Sequence, residues 1–96
     1  MFKRKTTDER LADLGFIKVE ENAHGAKYER VHHMFGYTHS LDIMKKRSGD
    51  HLIQSYEKGV NSDKYNNCVG LTELESKLIL KKLKEMKKKY HWEGRR

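Results

Sequence analysis

Proline is missing from this sequence altogether, and cysteine occurs once, at Cys68. Without proline the chain has no fixed backbone kink and no PxxP ligand. A single cysteine excludes an internal disulfide and a thiolate zinc cluster, so the expected setting is reducing and cytoplasmic. No apolar run is long enough to span a bilayer, and the opening stretch from Met1 to Arg10 lacks the apolar segment of a signal peptide. Apolar residues are scarce as well: they make up 35% of the chain against 36% charged, with a mean hydropathy of −0.99, so the core must be thin. Internal repeats and low-complexity linkers are also lacking. Ninety-six residues hold one such core, which predicts a single domain over 1–96.

What the chain has in excess is positive charge. Lys and Arg total 21 against 14 Asp and Glu, a net charge of +7, and the excess gathers at Lys3-Arg4-Lys5 and from Lys77 to Arg96. That asymmetry suits a polyanion or an acidic protein partner. Nine aromatic residues and clear periodicity favour folding over disorder.

Thr6-Thr7-Asp8-Glu9 fits a capping box opening a short helix to Leu14, with Gly15 as a left-handed stop and Phe16 as the apolar residue that closes the motif. From Phe16 the period changes to 2, with Ile17 and Val19 inward and Lys18 and Glu20 outward. A turn at 22–25 returns the chain along 26–31 and puts Val19 opposite Tyr28. A third strand, Thr38 to Lys46, points Leu41 and Ile43 inward. If Ser48-Gly49 is a two-residue hairpin loop, the fourth strand, His51 to Glu57, places Tyr56 opposite Leu41, and Met44 opposite Ile53 on the outer face. Lys58 to Gly70 reads as a long polar loop of the kind that is functional or mobile. A second capping box, Thr72-Glu73-Leu74-Glu75, opens the dominant element, a helix from Leu71 to about Tyr90. Ile79, Leu83, Met86 and Tyr90 form its apolar stripe, flanked by Leu78 and Leu80, and Lys77, Lys81, Lys84 and Lys88 repeat on the opposite face. The architecture predicted is α+β: a short N-terminal helix, a four-stranded antiparallel meander, and a long C-terminal helix packed on one sheet face. The expected core comprises Leu11, Leu14, Ile17, Val19, Tyr28, Leu41, Ile43, Leu52, Tyr56, Ile79, Leu83 and Met86.

Four constellations could carry chemistry. The lysine stripe, extended by Arg95 and Arg96, could follow a phosphate backbone without sequence preference, although the solvent face of any amphipathic helix shows the same spacing. His32, His33 and His39 flank one turn, yet no third ligand is spaced to complete a metal site, so no metal or cofactor is predicted. Cys68, shortly before a helix start, has no base or oxyanion site beside it in the sequence and reads as a buried packing residue. The acidic residues make no hydrolase spacing, so the expectation is a non-enzyme. Phe35, Met44, Ile53 and Trp92 exceed what one thin core needs, which points to a protein partner or a homo-oligomer.

The opening Thr-Asp-Glu-Arg-Leu-Ala-Asp-Leu-Gly-Phe, the charged meander with Tyr28 and Leu41-Asp42-Ile43, and Leu71-Thr72-Glu73-Leu74-Glu75 before a lysine-rich helix resemble small proteins of uncharacterised function encoded by phages and prophages of low-GC Gram-positive bacteria. The resemblance implies an accessory role on a mobile element and the host cytoplasm as its place. It assigns no residue a role. The expected function is thus a non-enzymatic binding module acting through a protein partner or self-association, with non-specific nucleic-acid binding as the alternative.

Overall fold

The computed structural model describes residues 4–32, 34, 36–48, 50–59 and 67–92. Helix α1 (Thr7–Asp13) is followed by strands β1 (Ile17–Asn22), β2 (Gly25–His32), β3 (Tyr37–Met44) and β4 (Leu52–Gly59), a short β5 (Asn67–Cys68), and helix α2 (Glu73–Lys89). The strands form one antiparallel sheet in sequence order, so the α+β meander is as predicted, with β5 added at the edge inside the stretch expected to be loop. Positions 60–66 of that stretch lie outside the described residues.

Both helices begin as their caps dictate. Thr6 and Thr72 each accept from the amide three residues on, and Glu9 and Glu75 reach back to the cap amides, so two orphan amides are satisfied at each start. α1 stops at Gly15, whose φ of +96° is open to glycine at little cost. The amide of Phe16 then donates to the Leu11 carbonyl, and both side chains are fully buried.

α1 and α2 pack on the same sheet face. The core between them and the sheet holds Leu11, Phe16, Tyr28, Leu41, Ile43, Ile79 and Met86, each at most 1% exposed. Ala26, Leu78 and Trp92 join this cluster, while Leu14 and Leu83 are partly buried against it. No helix among the described residues is long and apolar enough to cross a membrane.

Three expectations about facing are overturned. Near the first turn the register is as predicted, with Asn22 opposite Gly25 and Glu21 opposite Ala26, but a bulge at Val19 puts Lys18 opposite Tyr28. Ile17 and Val19 are therefore exposed, at 59% and 55%, and Lys18 faces the helices. The bulge brings Lys18 and Glu21 to the same face, where Lys18 reaches Asp8 at 2.9 Å and Glu21 at 3.4 Å. In the second hairpin Met44 pairs with Leu52 and Tyr56 with Ser40, one residue away from the predicted register. A one-residue slip exchanges the faces of a strand. Ile53 and Ser55 consequently turn toward the helices, whereas Leu52 and Tyr56, expected in the core, lie on the open face. The two alternating sets of β4 are almost equally apolar, and polar contacts decide between them: Ser55 meets His39 under the helices, and Tyr56 donates to Asp42 at 2.8 Å on the open side.

α2 also departs from its expected wheel. Leu80, taken as flanking the core, is 55% exposed, and Glu75 and Lys82 are buried on the sheet-facing side.

Candidate functional site

Two charged clusters lie beneath the helices. In the first, the bulge delivers Glu21 to α2, where Lys82 approaches it at 2.6 Å and Lys89 at 3.0 Å, and the Tyr90 hydroxyl donates to it at 2.6 Å. Lys82 also pairs with Asp8 Oδ1 at 3.1 Å, the same oxygen that accepts from the Tyr28 hydroxyl, while Lys18 takes Oδ2. Burial opposes ionisation of Glu21, but Lys82, Tyr90 and Lys89 together hold its carboxyl far below the usual carboxylate range. Asp8 is lowered in the same way, burial being outweighed by Tyr28, Lys18 and Lys82. Burial and the neighbouring Asp8 push the Tyr28 phenol far up. Every strong donor meets an acceptor here, so the cluster clamps α1, β1 and α2 together.

The second cluster runs Glu75, Arg30, His39, Ser55. Arg30 donates to Glu75 at 2.8 Å and to the Leu14 carbonyl at 3.1 Å, stacks 4.2 Å over the Phe16 ring, and places a second nitrogen 3.2 Å from His39 Nδ1. His39 Nε2 lies 2.5 Å from Ser55 Oγ. A serine against a histidine invites a nucleophile reading, but the third partner fixes the chemistry. Guanidinium only donates, so Nδ1 must be the acceptor and Nε2 carries the proton. His39 therefore donates to Ser55 and cannot take its proton. Burial and Arg30 lower the His39 pKa, which keeps the ring neutral.

Of the histidines flanking that turn, His39 stands opposite Arg30, and His32 stacks on Tyr37 with ring centroids 4.6 Å apart. His33 lies outside the described residues. Among the described residues no group of three His, Cys, Asp or Glu is placed to hold a metal. Cys68, read as a packing residue before a helix, is exposed instead, in β5 opposite Tyr56.

The outer face of α2 differs from both clusters. Lys77, Lys81, Lys84 and Lys88 are exposed along it, as their spacing predicts. Lys77 pairs with Glu73 at 3.0 Å, one turn away. Lys81, Lys84, Lys87 and Lys88 take part in no ion pair among the described residues, whereas Lys82 and Lys89 are committed to Asp8 and Glu21. A hollow of about 460 Å³ lies along this flank, lined by Lys77, Leu80, Lys81, Leu83, Lys84 and Lys87. Arg95 and Arg96 lie outside the described residues.

The apolar residues expected to meet a partner scatter. Trp92 is buried, donating through its indole to the Ala23 carbonyl at 2.8 Å, and Ile53 packs on the core. Met44 is half-buried on the open face, on the side opposite Ile53, and Phe35 lies outside the described residues. Leu80, expected at the core margin, is instead exposed. The signal for the buried Lys82 is its position, three residues after Ile79 and four before Met86, which sets it on the apolar stripe. No protein-family model matches the sequence, and no curated protein and no solved structure matches it either.

Proposed function

We propose that the chain is a non-enzymatic binding module that engages an acidic protein partner through the outer face of α2. One observation carries this reading: four of the helix's seven lysines, Lys81, Lys84, Lys87 and Lys88, take part in no ion pair among the described residues, and the first three of them border the exposed Leu80. A face held for water alone needs no leucine at its centre. An exposed apolar residue ringed by like charges is instead what an interface with an acidic rim uses, the apolar contact supplying affinity and the charges supplying steering. The locked tautomer of His39 supports the non-enzymatic part. The resemblance to phage and prophage proteins suggests an accessory role in the host cytoplasm, where a reduced Cys68 would be at home.

The test is a pull-down from host lysate with the wild-type chain and a Lys81→Glu/Lys84→Glu/Lys88→Glu variant, with circular dichroism to show that both are folded. A partner rich in Asp and Glu that is retained by the first and lost by the second supports the reading. Equal retention by both chains sinks it.

Nucleic-acid binding is the second reading, favoured by the regular recurrence of Lys77, Lys81, Lys84 and Lys88 along about 16 Å of helix. Gel-shift titration of a short duplex at two salt concentrations separates the two. A steep loss of affinity with salt, removed in the triple variant, marks phosphate contacts.

A further inference from the structure

The two helices do not cover the sheet evenly. On β2 and β3, the helix-facing Ala26, Tyr28, Leu41, Ile43 and His39 are at most 5% exposed, with only the strand ends nearer Arg30 less covered. Ile53 and Ser55, which face the same way from β4, are only half-buried. The reason is where α2 sits. Its flank bearing Lys82, Glu85 and Lys89 is turned to α1 and β1, through Thr7, Asp8 and Glu21. Helical geometry then turns Leu80, Leu83 and Lys87 the other way, toward β4. Lys87 is near enough to His51, at the start of β4, to lower that histidine's pKa together with burial, which fixes the direction independently. At the far end the amide of Val69 donates to the Ser55 carbonyl at 3.1 Å, and the chain crosses from there to the start of α2. The lysine-bordered Leu80 and Leu83 of α2 and the half-buried Ile53 and Ser55 of β4 thus lie toward the same side, and the space beside α2 over β4 is an open berth.

Resting on the protein-binding reading above, we infer that this berth receives an amphipathic acidic helix of the partner, which lies alongside α2 and completes the helical layer over β4. The lining of this flank, Lys77, Leu80, Leu83, Lys84 and Lys87, recurs at the three- and four-residue steps that a second helix interdigitates with, rather than at the two-residue step of a strand. Lys77, Lys84 and Lys87 border the two leucines and call for carboxylates on the incoming helix. Leu80 and Leu83 span one turn, so the contact is short, and the docked helix needs only about three turns to cover it.

The probe is a fluorescently labelled amphipathic peptide of Leu and Glu with all its leucines on one helical face, compared with a peptide of the same composition whose leucines are spread around the helix. Fluorescence polarisation should show the amphipathic peptide binding about tenfold more tightly, and Leu80→Ser should remove that advantage, since one buried leucine accounts for it. Leu80 is exposed enough for that variant to fold. Amide chemical shifts of Ile53, Ser55, Leu80 and Leu83 should move together on titration. If both peptides bind alike, the berth is overturned while the basic-face reading stands. If neither peptide binds and a duplex does, both fall in favour of nucleic acid. If light scattering gives a dimer that Leu80→Ser turns into a monomer, the occupant is a second copy and the partner-helix inference is overturned.

Discussion

Lys82 lies in the middle of the stripe that α2 turns to the sheet, and its side chain is 9% exposed, yet it is held at 3.1 Å from Asp8 and 2.6 Å from Glu21. Replacing one member of a buried charge cluster leaves the others uncompensated, so Lys82→Met should cost about 3–5 kcal/mol at neutral pH even though methionine fills the space. The sign of the pH dependence follows from Glu21 and Asp8. Their lowered carboxyls contribute stability above the unfolded carboxylate range and lose it as pH falls. The deficit of Lys82→Met should therefore shrink at pH 3, and urea unfolding at the two pH values checks it. An equal deficit at both would mean that Lys82 matters for its packing. His51 is the opposite case. Both of its ring nitrogens are buried without a hydrogen-bond partner among the described residues, 5.1 Å from Trp92 between ring centroids. Burial, Lys87 and Lys45 lower its pKa against the pull of Asp50. A histidine with a depressed folded pKa loses stability as pH drops from about 6.5, because the unfolded chain takes up the proton first. His51→Leu should be neutral or stabilising by up to about 1 kcal/mol at pH 7, and should flatten the fall in melting temperature between pH 7 and 5. His39, lowered chiefly by burial, accounts for the slope that remains.

The starts of both helices and the stop of α1 were readable in the sequence, but the face each element buries often was not. Both capping boxes and the Gly15 stop are local chemistry, settled within four or five residues, and they appear where Thr6, Thr72 and Gly15 put them. Facing depends on partners far along the chain. Val19 bulges because Lys18 and Glu21 both meet charges from the helices, and no alternation rule contains that information. The choice of Ile53 over Leu52 rests likewise on Ser55 reaching His39 and Tyr56 reaching Asp42. Of the candidate site, the lysine spacing was legible and the exposure of Leu80 was not, because only the position of α1 decides which flank of α2 is covered. Glycine gives a prediction at this scale. A Cβ on Gly25 would stand 2.2 Å from the Ile43 carbonyl oxygen, which belongs to the neighbouring strand and cannot turn aside. A Cβ on Gly15 would meet the flexible Arg30 side chain at 2.9 Å and add the strain of its positive φ. Gly15→Ala should cost roughly 1–2 kcal/mol and leave the fold intact. Gly25→Ala should cost more, forcing β2 and β3 apart and broadening the amide spectrum around Ala26 and Ile43. Equal losses in thermal unfolding would show that the two strands give way more easily than a paired ladder should.

Over the whole molecule, charge is divided by depth. Asp8, Glu21 and Glu75 are gathered under the helices, where they consume Lys18, Lys82, Lys89 and Arg30, and much of the net charge of +7 is left to the surface. The outer face of α2 takes a share at a cost in stability, since lysines three and four residues apart repel along a helix. Lys84 has Lys81 and Lys87 three residues away and Lys88 four away. Lys84→Glu would turn repulsions into attractions, including the favourable Glu-before-Lys order with Lys88, and should stabilise the fold by about 0.5 kcal/mol, more at low salt than at high. If α2's outer face were only solvated surface, that gain would come with no loss. Because the lysines border Leu80, the same change should weaken capture of the acidic peptide several-fold. Calorimetric melting at two salt concentrations and peptide polarisation on the same preparation measure both quantities. A variant that is more stable yet deficient in binding marks Lys84 as held for a partner at the expense of the fold. A variant that is more stable and binds unchanged makes the basic face a by-product of amphipathicity.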